Sequence, residues 1–231
     1  MAAKNFTEKD AEKTISKKVS EFLSKQRILL ISIPLVLILI AGIYGAVTVI
    51  NNSVAKKDFE NLDTILFSLE KKAMGASEDT LLQSIHETKQ ELQAFVAKKK
   101  KGAASARASM ALGGLEFEEE NYAEAMDAYL ASAEANKKAY TASVAYYNAA
   151  ICAEELGQLE KALEFFEKAK SSPHFALVPQ TLFNMGRIAL ELQDKEAAKG
   201  YFQTLVDKYS NESWANLAKS QLLILETEGN L

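Results

Sequence analysis

Cysteine, proline and glycine are scarce in this chain of 231 residues, which has one Cys, three Pro and ten Gly. The single cysteine, Cys152, excludes an intrachain disulfide and a cysteine metal cluster. Long stretches of Ala, Leu, Glu and Lys run without helix-breaking residues, and these residue types lose little rotamer freedom in a helix. With 48% hydrophobic and 25% charged residues, the chain has the composition of a folded protein. We therefore expect an all-α protein.

Motifs for catalysis and cofactor binding are also missing. The two histidines, His86 and His174, are far apart, and the sequence contains no Gly-rich phosphate loop and no Ser-centred nucleophile motif. Cys152 lies among alanines, which favours a buried, unreactive thiol over a nucleophile. The sequence predicts neither an enzyme nor a cofactor or metal site.

One long apolar stretch is present. Residues 28–50, ILLISIPLVLILIAGIYGAVTVI, are 23 residues without a charged side chain. As a helix they would extend about 35 Å, and the hydrocarbon core of a bilayer is about 30 Å thick. A cleaved signal peptide fits less well, because its apolar region usually has only about 7–15 residues. We expect a single uncleaved transmembrane helix in contact with the lipid bilayer.

The charges beside this stretch predict its orientation. Basic side chains are frequent between residues 13 and 27, whereas only Lys56 and Lys57 occur in the first turns after it. The positive-inside rule then leaves residues 1–27 in the cytoplasm and exports residues 51–231. We expect a single-pass protein of a bacterial inner membrane with a periplasmic C-terminal domain.

The exported part is acidic. Residues 1–27 have a net charge of +3, which leaves −7 for the rest of a chain whose total is −4. Nucleic-acid binding needs a basic surface to neutralise phosphates, so the sequence argues against a nucleic-acid partner.

Two residue types recur at nearly constant intervals in the second half of the chain. An alanine and, four positions later, an aromatic residue advance together by 37 and then 36 positions. Each interval has the length of a unit of two short helices. The two series are Ala125, Ala162 and Ala198, and Tyr129, Phe166 and Phe202.

This spacing resembles the tetratricopeptide repeat, in which small residues let two antiparallel helices touch and an aromatic residue fills the gap to the next pair. A fourth first helix follows, in which Trp214, Leu217 and Ala218 match the Trp-Leu-Gly of that family. The resemblance implies an α-solenoid over residues 102–231 that ends in a capping helix. Residues 51–101 lack the motif, and we expect a degenerate helical pair there that covers the first repeat.

Charged side chains interrupt the pattern at two places. Glu116 stands where the family usually has an aromatic residue, so we expect the first repeat to pack loosely. We interpret the run Lys98–Lys101 as the solvated C-terminal end of a helix, where positive charge complements the macrodipole, in preference to a phosphate or lipid-headgroup patch.

The resemblance also implies a binding site. In this family the first helices line a concave groove, and an asparagine at their sixth position often hydrogen-bonds an extended peptide. An aromatic floor with regularly spaced amides suits a polypeptide with apolar side chains. The alternative is that Tyr147 and Phe183 simply pack between helices. The predicted protein-binding residues are Asn148, Asn184, Asn216, Met110, Tyr147, Ile151, Phe183 and Arg187.

In overall layout the chain resembles the YfgM-type family of bacterial inner-membrane proteins, whose members attach to the Sec translocon and to periplasmic chaperones. The resemblance implies an ancillary translocon subunit or a component of the envelope chaperone network. From the residues alone we expect a membrane-tethered adaptor that binds proteins or extended peptides on the exported side.

Two other functions are compatible with the same sequence. One is a structural organiser of another envelope complex, such as a secretion or cell-wall machine, that acts by self-association. The other is an enzyme regulator in which residues 1–27 are the active part and the array only senses. The sequence does not distinguish between them.

Overall fold

The computed structural model describes residues 16–22, 25 and 27–228, and within these ranges it contains helices and no strand. The all-α prediction is confirmed. Two compact units are formed, Met1–Lys56 and Lys57–Leu231. The main helices are α1 (Arg27–Ala73), α2 (Glu78–Lys98), α3 (Ala103–Glu118), α4 (Tyr122–Ala135), α5 (Tyr140–Glu155), α6 (Leu159–Lys170), α7 (Val178–Glu191), α8 (Lys195–Lys208) and α9 (Ser213–Glu228).

The first unit contains the N-terminal part of α1. From Val36 on, this helix is long and apolar enough to cross a membrane, and its side chains between Val36 and Ile50 are exposed. Residues 16–22 are also helical, but most of the predicted cytoplasmic tail, residues 1–27, lies outside the described residues. α1 continues without a break past the predicted end of the span at residue 50.

The helices of the second unit pack as consecutive pairs in the predicted register. Within each repeat the alanine and the aromatic residue of the second helix are buried, and the three alanines have no exposed surface. The rings therefore fill the interior between helices, as the resemblance to the tetratricopeptide repeat implies. Ala125 and Tyr129 belong to α4, Ala162 and Phe166 to α6, and Ala198 and Phe202 to α8.

The turn inside each pair uses the same backbone conformation. Glu120, Gly157 and Gln193 have φ angles of 61°, 67° and 64°, and they are spaced by the same two intervals as the alanines. The residue after each of them donates its N–H to the carbonyl five residues earlier, at 2.8–2.9 Å. This bond satisfies a carbonyl that the helix end leaves without an intrahelical partner.

Close contact between paired helices depends on glycine at two sites. A Cβ added to Gly113 would lie 2.7 Å from Cδ1 of Tyr129, and one added to Gly186 would lie 2.5 Å from Cε1 of Phe202. Any larger residue would collide with a ring. The middle repeat has a buried Ala150 in the same register.

The hairpin of α1 and α2 packs on the first repeat. Leu62 and Ile65 of α1 and Leu92 of α2 join Ala104 and Ala108 of α3 in one apolar cluster. The second half of α1 thus covers α3 together with α2, and the burial excludes water from this face.

Glu116 corrects one expectation. Its side chain is only 6% exposed, and its Oε2 lies 2.6 Å from Nζ of Lys89 on α2. Lys89 also contacts Glu119 at 2.7 Å, and Nδ2 of Asn121 donates to Glu116 at 3.0 Å. The first repeat is therefore not loosened at Glu116, because a buried ion pair takes the place of the aromatic residue.

The two largest apolar clusters of the repeats meet at α7. Met185 and Ile188 belong to the larger cluster, which is built mainly from α4, α5 and α6. Leu182 and Ala189, on the other side of α7, belong to a second cluster with α8 and α9. α7 therefore contributes to both clusters, and Tyr201 of α8 also packs on the larger one.

Candidate protein-binding groove

The predicted site residues lie on the first helices of the repeats, α3, α5, α7 and α9. Met110, Tyr147 and Phe183 occupy equivalent places, since they are separated by the repeat intervals of 37 and 36 residues. In α5 and α7 the residue that follows is an asparagine, Asn148 or Asn184. The solenoid brings these equivalent places side by side.

Each of these two asparagines reaches back to the preceding repeat. Nδ2 of Asn148 donates to Sδ of Met110 at 3.7 Å, and Nδ2 of Asn184 donates to the hydroxyl oxygen of Tyr147 at 3.3 Å. Both amides are half-buried. These two hydrogen bonds link consecutive first helices, so each amide uses one N–H on a side chain of the neighbouring helix.

The third asparagine has a different environment. The equivalent place on the preceding helix is Phe183, whose ring has no hydrogen-bond acceptor, and the ring of Trp214 packs on it with centroids 5.3 Å apart. Asn216 is exposed. It is therefore the most accessible of the three predicted amides.

The two aromatic residues of the predicted floor lie largely within the protein interior. Tyr147 is 8% exposed, and its ring contacts Phe166 edge to face at a centroid distance of 5.4 Å. Burial raises the pKa of its hydroxyl, although the hydrogen bond from Asn184 opposes the shift. Phe183 is half-buried between Phe202 and Trp214. Both rings therefore pack between helices, and a role in binding for either of them stays a prediction.

Ile151 and Arg187 occupy equivalent places one turn further along α5 and α7. Ile151 is half-buried against the larger core cluster. Arg187 is exposed and forms an ion pair with Glu154 of the preceding repeat. Glu154 was not predicted, because a pair between repeats, 33 residues apart, has no signal in local sequence spacing.

An apolar cavity of about 320 Å³ opens beside Met110. It is lined by Phe59 of α1, Ala106 and Arg107 of α3, and Thr141 of α5, among others. Arg107 also pairs with Asp63 at 2.8 Å, where both side chains are more than half exposed. The cavity places an apolar surface next to the predicted residue Met110.

The side chains at this candidate site are of types suited to binding a polypeptide. Amides, a guanidinium group and apolar surface can hydrogen-bond and bury a bound chain. Within the described ranges no three His, Cys, Asp or Glu side chains are grouped so that they could hold a metal. Cys152 is fully buried, and burial raises the pKa of its thiol to about 12, which keeps it protonated near neutral pH.

Family comparison agrees with this arrangement. Tetratricopeptide-repeat models match residues 89–141, 143–172 and 180–212, which together are just over half of the chain. The chain is a tetratricopeptide-repeat protein. Such repeats are generally non-catalytic modules that bind protein partners. The first match begins at residue 89, inside α2, so repeat character extends further towards the N-terminus than the landmark residues suggested.

Individual relatives support the same conclusion. A TPR repeat-containing protein of Treponema pallidum (strain Nichols) is 33% identical over 128 residues, which are 55% of this chain and 54% of that protein. The chain thus aligns with about half the length of this relative.

Two solved structures share the fold. A tetratricopeptide repeat protein from Parabacteroides merdae has a TM-score of 0.56 and 17% identity, with 73% of this chain and 61% of that chain covered. MamA has a TM-score of 0.50 and 21% identity, with 69% and 85% covered. At these identities the comparison establishes the fold alone.

Proposed function

We propose that the protein is a membrane-tethered adaptor whose first helices bind an extended polypeptide on the exported side of a bacterial inner membrane. The observation that supports this best is the row of hydrogen-bonding side chains on α5, α7 and α9, in a chain whose described residues also include a helix long and apolar enough to cross a membrane. Adaptors of this kind hold a partner close to a membrane without chemical change.

The amides retain capacity for a ligand. A side-chain amide has two N–H donors and one carbonyl acceptor, and the bonds from Asn148 and Asn184 each use one donor. Its carbonyl and second N–H match the N–H and C=O of an extended backbone. The internal bond fixes the orientation of each amide, which lowers the entropic cost of binding.

The proposed location rests on charge. Basic side chains are frequent before residue 28, whereas only Lys56 and Lys57 occur in the first turns after residue 50, and this difference favours a cytoplasmic N-terminus and an exported array. The Sec translocon and periplasmic chaperones are the partners that the resemblance to the YfgM-type family suggests.

Site-specific crosslinking tests the groove. A photoreactive residue at Ile151, Arg187 or Asn216 in the full chain should crosslink a partner in intact membranes, because these positions are half-buried or exposed on first helices. Gln203, exposed on the second helix α8, is the matched control position. Equal crosslinking from Gln203, or none from the groove positions, would contradict the proposal.

Self-association is a second candidate, and α9 favours it. Leu217, Leu223 and Ile224 are 48%, 62% and 48% exposed on this helix, an apolar surface where a solvated cap is expected. If two copies pair there, light scattering of the detergent-solubilised chain gives a dimer, and Leu223→Glu gives a monomer. A monomer before substitution would rule this candidate out.

A further inference from the structure

We propose that a lysine-rich edge of the second unit binds the anionic phospholipid headgroups of the membrane in which the chain is anchored. This inference rests on the membrane anchor of the proposed function and adds a second, electrostatic contact to it. The edge consists of Lys57, the α2–α3 connection with Lys98–Lys101, and the α4–α5 connection with Lys137 and Lys138.

Backbone and side-chain contacts hold these segments together. The N–H of Gly102 donates to the carbonyl of Ala135 at 2.9 Å, which places the connection after α2 beside the connection after α4. Nζ of Lys99 lies 3.1 Å from Oδ2 of Asp58, the neighbour of Lys57. Lysines that are up to 81 positions apart in sequence therefore lie along one edge.

The edge carries an excess of positive charge. Asp58 neutralises Lys99, and Glu134 pairs with Lys137 at 2.6 Å. Arg107, near the same edge, pairs with Asp63. The remaining lysines of the edge are exposed to solvent. They are Lys57, Lys98, Lys100, Lys101 and Lys138.

The helix macrodipole explains only part of this cluster. Lys98 is in the last turn of α2 and Lys99 is its C-cap, where positive charge is favourable. The effect fades beyond the terminal turn. It therefore does not account for Lys101 or Lys138, which lie outside the helices.

Chain connectivity limits how far Lys57 can lie from the bilayer. Lys57 follows the predicted end of the span, Ile50, by seven residues, and even a fully extended chain of that length reaches only about 25 Å. The edge thus includes the residue of the second unit that is closest in sequence to the predicted span.

Charge complementarity selects the ligand. The chain after residue 27 has a net charge of −7 despite this lysine cluster, so its remaining surface is strongly acidic. An anionic bilayer repels that surface and attracts the lysine edge. Phosphatidylglycerol supplies the required phosphate headgroups, and each lysine near such a surface changes the docked-to-undocked ratio roughly fivefold.

The test uses the full chain in lipid nanodiscs with a nitroxide quencher on the headgroups. A fluorophore is attached to Thr141→Cys beside the edge, or to Ser210→Cys in the α8–α9 connection as a distant control; both positions are exposed. Cys152 is fully buried, so labelling is confined to the introduced thiol. Discs contain phosphatidylcholine alone or with phosphatidylglycerol.

We expect phosphatidylglycerol to increase quenching at position 141 more than at position 210. The combined change Lys100→Gln, Lys101→Gln and Lys138→Gln should lower the docked-to-undocked ratio about a hundredfold. About 1 M salt should have a similar effect, because the Debye length is then only about 3 Å.

A matched variant with the three exposed lysines Lys161, Lys199 and Lys219 changed to Gln should keep its quenching. Equal quenching in neutral and anionic discs would overturn the proposal, and so would an equal loss in this matched variant. Failure of the chain to remain with the discs would refute the anchor as well, which separates that result from a failure of docking alone.

Discussion

The contact between Gly186 and Phe202 predicts opposite effects for two glycine substitutions in neighbouring helices. Gly186 is buried in α7, and an added Cβ would lie 2.5 Å, 2.7 Å and 2.8 Å from three ring atoms of Phe202. Gly200 is exposed in α8, and a Cβ added there meets no heavy atom within 4 Å. Both positions are helical, so alanine gains the same helix propensity at each.

The magnitude follows from these two terms. Alanine is favoured over glycine in a helix by about 1 kcal/mol, so Gly200→Ala should stabilise the fold by about 0.5–1 kcal/mol. Phe202 has no exposed surface, and its ring packs on Phe183 at a centroid distance of 5.6 Å, so it has little room to retreat. Overpacking costs about 1–3 kcal/mol, and Gly186→Ala should therefore be net destabilising. The difference in the free energy of unfolding between the two variants therefore measures the cost of the contact with the ring of Phe202.

Thermal unfolding of the detergent-solubilised full chain, followed by circular dichroism, measures that difference. One kcal/mol corresponds to about 2–4 °C for a unit of this size, so Gly186→Ala should melt several degrees below Gly200→Ala. In a chain that already carries Phe202→Leu, Gly186→Ala should lower the melting temperature less than it does in the unchanged chain, because the ring is gone. If both single variants raised the melting temperature equally, the proposed contact between α7 and α8 would be refuted.

Three further predictions concern turns, a thiol and an ion pair. Gly157→Ala should cost about 1 kcal/mol and Gln193→Gly should stabilise slightly, since both residues adopt positive φ; unchanged melting temperatures would contradict the shared turn. Burial raises the pKa of the Cys152 thiol from 9.0 to about 12, so the thiol loses its proton more easily in the unfolded chain. The free energy of unfolding that depends on this thiol is therefore complete below pH 9 and is lost as the pH rises towards 12. Cys152→Ala should reduce this alkaline loss of stability when melting temperature is measured against pH. Lys89→Met leaves the Glu116 carboxylate buried without its cation, so the free energy of unfolding measured by denaturant titration should fall by about 3–5 kcal/mol. The double variant Lys89→Met/Glu116→Leu should recover most of that free energy.

The register of the repeats could be predicted because it depends on local residue size. Ala162 and Phe166 lie on one helix face, and their recurrence at fixed intervals is visible in the sequence alone. The turns were only partly predictable. Gly157 signals a left-handed residue, but Glu120 adopts the same conformation without a glycine to mark it. There the packing of both helices imposes the turn against local preference.

Contacts between distant segments could not be predicted. The pair between Lys89 and Glu116 joins two helices through side chains 27 positions apart, and neither charged residue identifies the other as its partner by local spacing. The ring of Tyr147 likewise stands at a groove position by spacing, but it turns into the interior because Phe166 and Phe175 offer apolar surface there. The amide of Asn184 donates a hydrogen bond to the hydroxyl of Tyr147. Asn184 therefore contributes to the fold, in addition to the ligand binding that we propose for it. Asn216, which is exposed, is the better residue for testing ligand binding by substitution.

The division of the apolar interior at α7 has a mechanical consequence. A protein held by a membrane at one end and by a partner at the other experiences tension whenever the partner moves. α8 and α9 pack mainly in a cluster of their own, which meets the larger cluster at α7 and at Tyr201, so we expect these two helices to unfold first under tension. Unravelling both helices would release about 100 Å of chain at about 3.4 Å per residue. The released length would lower the tension on the remaining repeats, which would then stay folded.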